Sequence, residues 1–98
     1  MELRDTIKFM NSEDYRERFV AEYWQTKIRY EKLKKYNQRI SVGQMDGLAR
    51  FEPKHDCPLD ILQDQQHLMG LLLDNLEKRA IIEDIDLEMI FESEKEAK

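Results

Sequence analysis

Two heptad-spaced stripes, separated by a Cys57-Pro58-Leu59-Asp60 junction, constrain this chain more than any other feature. From Phe19, alternating steps of four and three fall on Phe19, Tyr23, Thr26, Tyr30, Leu33, Asn37 and Ile40. From Leu59, steps of three and four fall on Leu59, Leu62, Gln66, Met69, Leu73, Leu76, Ala80 and Glu83. This spacing places one stripe along each of two helices and predicts an all-α fold, an antiparallel two-helix hairpin with short flanking helical segments. At 98 residues it forms a single domain, 1–98.

The sequence divides that domain into a flexible or short helical lead over 1–11, a first long helix over 12–41, a loop over 42–57, a second long helix over 58–83, and a short helix with a frayed tail over 84–98. Asn11-Ser12 followed by Glu13-Asp14 reads as a helix start, a capping side chain ahead of acids that the macrodipole favours. No proline or glycine interrupts the first helix, which should span on the order of 40 Å. Gly43 is expected just past its end as a left-handed stop. Asp56 or Cys57 can cap the second helix, with Pro58 in the first helical position. A weaker helical stretch runs from Asp86 to about Glu94, ahead of frayed residues Glu94–Lys98.

The second helix is too apolar for a two-helix structure. Ile61, Leu68, Leu71 and Leu72 lie off its heptad seam, and so does Ile82. Either residues 1–10 and 85–91 fold over that surplus face, or a second copy of the chain covers it. The expectation is a homo-oligomer, with Ile61, Leu68, Leu71 and Leu72 at its interface.

Charge excludes some partners. The net charge of −5 combines ten basic and seven acidic residues in 1–40 with six basic and fourteen acidic residues in 41–98. Duplex DNA binding needs a basic excess, so that role is disfavoured. No run of apolar residues is long enough for a membrane span, and Met1-Glu2-Leu3-Arg4-Asp5 lacks the order of a secretory signal. With a single cysteine there is no internal disulfide, and a cytoplasmic location is expected.

No catalytic constellation emerges, and no enzyme activity or cofactor is expected. His55, Asp56, Cys57 and His67 lack the recurrent spacing of a four-ligand zinc site, so no metal is expected. Asp60, Asp64 and His67 share a helical face that reads as solvated surface. Ser12, Ser41 and Ser93 lie in cap, loop or tail contexts, and Gly43, Gly47 and Gly70 are isolated, without a phosphate loop. The strongest binding signal lies on the first helix. Tyr23, Lys27, Tyr30 and Lys34 follow one another there, with Trp24, Arg16, Tyr36 and Arg39 nearby. Rings stack on bases while Lys and Arg contact phosphates, a combination suited to a nucleotide. The same tyrosines are heptad positions, so seam packing is the competing reading.

Two runs carry a family resemblance. Asp14-Tyr15-Arg16-Glu17-Arg18-Phe19-Val20-Ala21-Glu22-Tyr23 and Arg29-Tyr30-Glu31-Lys32-Leu33 resemble the first helix of a family of small phage and prophage helical-hairpin proteins related to a crAss-like phage protein. Cys57-Pro58-Leu59-Asp60-Ile61-Leu62, Gln65, Met69 and Leu76-Glu77-Lys78-Arg79-Ala80 resemble its second helix. The resemblance covers about residues 14–86. In size and layout that family is similar to the phage anti-CBASS and anti-Thoeris sponges that sequester cyclic nucleotide signals. It implies a phage accessory protein acting in counter-defence in the host cytoplasm, with no enzymatic activity. Its expected partners are further copies of itself and a small cyclic nucleotide ligand. Candidate ligand contacts are Tyr23, Trp24 and Tyr30 for stacking, with Lys27, Lys34, Arg50 and Lys54 for phosphates. Two alternatives stand beside this reading. One is an inhibitor of a host nucleic-acid-binding defence protein through the acidic residues Asp74, Glu77, Glu83, Asp84, Asp86 and Glu88. The other is a purely structural oligomeric helical protein.

Overall fold

The computed structural model describes residues 1–91, and the region expected to fray, Glu94–Lys98, lies outside them. Every regular element among the described residues is helical. A 3-10 turn, Leu3–Thr6, leads into α1, Ile7–Met10; α2 spans Tyr15–Gly43 and α3 spans Leu59–Ile82. A second 3-10 turn, Ala49–Phe51, interrupts the connection between the long helices.

α2 begins at Tyr15 because Asp14, not Asn11 or Ser12, is the cap. Asp14 Oδ1 accepts from the Arg16 amide at 2.9 Å. The Ser12 hydroxyl accepts from the Asp14 amide at 3.1 Å, fixing the entry two residues ahead of the cap. At its other end α2 includes Gly43, which is therefore not the expected left-handed stop. A Cβ at Gly43 would lie 2.7 Å from the Glu52 amide nitrogen and 2.5 Å from its Cα, so this glycine is a contact point for the returning chain. The left-handed glycine is Gly47, in the loop. Pro58 is the N-cap of α3 rather than its first helical residue, and no side chain caps it.

The two long helices run antiparallel. Positions that rise along α2 meet positions that fall along α3: Tyr15 with Glu83, the Phe19 ring with Arg79, Tyr23 with Glu77, Tyr30 with Gly70, and Asn37 with Leu62. All fifteen heptad positions are buried or half-buried, so the seam follows both stripes. Its inner end is polar. Asn37 Nδ2 donates to the Leu62 carbonyl at 3.1 Å and to Gln66 Oε1 at 2.9 Å.

The main core gathers at the end of the hairpin away from the loop. Phe19, Val20, Ala21 and Tyr23 of α2 meet Leu73, Leu76 and Ala80 of α3, and Phe9, Ile85 and Ile90 close the cluster. Burying each large side chain there contributes about 1.5–3 kcal/mol. Trp24 anchors the returning segment: its Nε1 donates to the Leu87 carbonyl at 2.7 Å and its ring meets Phe91 edge-on at 5.1 Å. The lead and the 85–91 segment thus cover α2 and the seam end. They leave Ile61, Leu68, Leu71 and Leu72 of α3 exposed, at 52%, 64%, 55% and 42%. No helix among the described residues is long and apolar enough to cross a membrane.

Candidate anion-binding cleft

Between the C-terminal half of α2 and the Ala49–Phe51 turn lies a cleft of about 860 Å³. Helix periodicity supplies one wall: Lys32, Lys35 and Arg39 follow at steps of three and four, along the face of α2 opposite the seam. Arg50, Phe51, Glu52 and Pro53 supply the other wall. The turn is held against the helix by the Gly43–Glu52 approach and by Tyr36, whose hydroxyl donates to the Lys54 carbonyl at 2.6 Å. His55 ties it further, with Nδ1 2.6 Å from the Cys57 carbonyl and Nε2 2.9 Å from Glu52 Oε2.

The electrostatics favour an anion. Four cations line the cleft, and Glu52 is the one carboxylate among its described lining residues. Glu52 is engaged by His55, whose ring is held protonated above its ordinary pKa of 6.5, chiefly by the Cys57 carbonyl and then by Glu52. Lys32, Lys35 and Arg39 are paired with no carboxylate among the described residues. Two rings border them: Tyr36, and Phe51, which is exposed and carries the Arg50 guanidinium 4.4 Å from its centroid. This surface can bind phosphate by charge-assisted hydrogen bonds and a planar base by stacking.

The seven sequence-predicted ligand residues do not converge. Tyr23 is buried and donates to Glu77. Trp24 packs against Tyr23 and Phe91, and with Lys27 lines a smaller groove of about 340 Å³ that joins the cleft through Lys32 and Lys35. Tyr30 and Lys34 face the seam side, beside Gln63 and Gln66. Only Arg50 lies in the cleft itself; Lys54 is exposed just beyond it. Lys32, Lys35 and Phe51 line the cleft and are not among those seven. The usable signal was the three-and-four spacing of cations on the face the heptad leaves outside. No cluster of three or more His, Cys, Asp or Glu side chains able to hold a metal occurs among the described residues.

The family model described as Sequestin matches residues 13–82, which take in α2, the connection and α3. The chain belongs to the Sequestin family. That match contains every residue lining the cleft and nearly the whole 14–86 span of the phage-family resemblance. No curated protein and no solved structure matches the chain.

Proposed function

We propose that this Sequestin-family chain binds a host immune nucleotide signal and sequesters it unchanged, as a homo-oligomeric phage or prophage accessory protein without enzymatic activity. The observation that carries the proposal is the convergence of Lys32, Lys35, Arg39 and Arg50 beside the rings of Tyr36 and Phe51, with the one lining carboxylate engaged by His55. The cations hold phosphates, and an exposed ring receives a base. The family's name, which speaks of sequestering, supports the same reading. The cleft is open, and Val42 and Phe51 at its walls remain exposed apolar surface. In this reading a neighbouring subunit covers them and completes the pocket.

The acidic-half inhibitor reading draws less support. Asp74 pairs with Lys78, Glu77 accepts from Tyr23, and Glu83 pairs with Arg79, so three of those six acids already have partners within the chain.

Calorimetric titration with cyclic di- and trinucleotides and ADP-ribose-type compounds tests the proposal. Wild-type protein should release or absorb heat with at least one of them. Exchanging both Lys35 and Arg39 for Glu should weaken that binding by at least roughly a hundredfold, since two charge-assisted hydrogen bonds of about 1.5–3 kcal/mol each are lost. Both residues are exposed, so melting temperature should change little. Absence of binding across the panel, or equal affinity in the charge-reversed protein, contradicts the assignment.

A further inference from the structure

The cleft continues beyond the Ala49–Phe51 turn. Its Lys32 and Lys35 also line the smaller groove that runs back toward Trp24 and Phe91, so the two hollows form one trough along α2. Both ends of the trough are aromatic, Tyr36 and Phe51 at one and Trp24 and Phe91 at the other. Trp24 and Tyr36 lie about 18 Å apart along the helix axis. Lys27, Lys32 and Lys35 occupy the stretch between them. A single nucleotide stacked at either end brings its phosphate to these cations and leaves the far rings bare.

One side chain in the trough has the wrong sign for phosphate. Glu31 is half-buried in the smaller groove, one helical turn from Lys27 and one from Lys35. It forms no ion pair with either, and no hydrogen bond, among the described residues. An ionised carboxylate only accepts, and a ribose offers it hydroxyl donors. Beside an aromatic wall and one turn ahead of Lys35, Glu31 stands where the sugar of a stacked nucleoside would lie, with the sugar's phosphate reaching the cations.

We propose that the groove beside Trp24 and Lys27 is a second nucleoside subsite, and that the ligand is a phosphate-bridged dinucleotide laid along α2, with Glu31 accepting from a ribose hydroxyl. One base lies against Trp24 and Phe91, the bridging phosphate meets Lys32 and Lys35, and the other base lies on Phe51. The subsite rests on the nucleotide-binding reading above and names the class of nucleotide.

Calorimetric titration of the full chain tests it, with AMP, 5′-phosphorylated ApA, cyclic di-AMP and the 2′-deoxy form of each dinucleotide as probes. The open or the closed dinucleotide should bind at least roughly tenfold more tightly than AMP, because a second base stacks. It should also bind at least roughly tenfold more tightly than its 2′-deoxy form, through the charge-assisted hydrogen bond to Glu31. Glu31→Gln should reduce that ribose preference to about threefold or less, with an unchanged melting temperature. If Glu31 acts only as a negative charge in the trough, Glu31→Gln instead tightens both forms alike and leaves their ratio intact, which overturns the subsite. Equal affinity of the two forms for the wild-type protein, or a dinucleotide that binds no better than AMP, overturns it as well. Binding of a cyclic trinucleotide or an ADP-ribose-type compound without that of any dinucleotide overturns the subsite and leaves sequestration standing. Absence of binding by every nucleotide contradicts both.

Discussion

Tyr23 donates its phenolic proton to Glu77 Oε2 at 2.7 Å, joining the two long helices across their seam. Burial first, and then this hydrogen bond and the charge of Glu77, push the phenol well above its ordinary pKa of 10.0. Tyr23→Phe should therefore cost about 1 kcal/mol in urea unfolding, because Glu77 is exposed and regains water. It should leave nucleotide affinity unchanged. The raised pKa also sets a sign. The stabilisation is fully present below pH 10.0 and is lost as pH rises toward the elevated folded value. Tyr23→Phe should remove that component of alkaline destabilisation.

His55 gives a second pH dependence, nearer neutrality. Both of its ring nitrogens face acceptors, the Cys57 carbonyl and Glu52, and Asp56 adds a smaller favourable charge. Its pKa is raised, so the stabilisation it gives the turn is complete below pH 6.5 and is lost as pH rises through the folded value. Above that value Glu52 loses the positive charge of its His55 partner, and its own charge offsets more of the cleft's cations. Nucleotide affinity should fall across the same interval, and His55→Gln should flatten the profile in paired calorimetric and NMR titrations.

Gly43 links turn geometry to the cleft. Gly43→Ala should destabilise the chain by about 1–3 kcal/mol, because the added Cβ overlaps the Glu52 backbone, which is not free to rotate away. The displaced turn should carry Arg50 and Phe51 out of register with Lys35 and Arg39. Loss of nucleotide affinity in a variant that still melts cooperatively is the expected result.

Asp84 offers the opposite change. It holds a positive φ of 55° just past α3, where the Ile85 amide reaches the Ala80 carbonyl at 2.8 Å. That is a left-handed helix stop, a position glycine adopts without a Cβ penalty. Asp84→Gly should stabilise the chain by up to about 1 kcal/mol, read as a higher urea midpoint with an unchanged slope.

The hairpin was legible in the sequence because heptad spacing is a one-dimensional record of one helix face. Phe19 through Ile40 and Leu59 through Glu83 line the seam whatever the loop does. The start of α2 was less legible, since Asn11, Ser12 and Asp14 are all competent caps. The geometry selected Asp14 by letting Ser12 brace it from outside. The cleft was largely hidden. Its two walls, Lys32–Arg39 and Arg50–Pro53, are brought together only by Gly43 meeting Glu52 and Tyr36 reaching Lys54, contacts with no periodic signature. Tyr23 and Tyr30 drew attention because aromatic rings look alike in sequence whether they stack on a base or fill a seam.

Native mass spectrometry of the protein purified from phage-infected cells tests sequestration most directly, because it weighs the assembly together with any small molecule it retains. The account predicts an oligomer carrying a phosphate-bearing nucleotide that heat denaturation releases chemically intact, and that is absent when Lys35 and Arg39 are both changed to Glu. Protein that carries no nucleotide from those cells, or that returns a cleaved one, contradicts it.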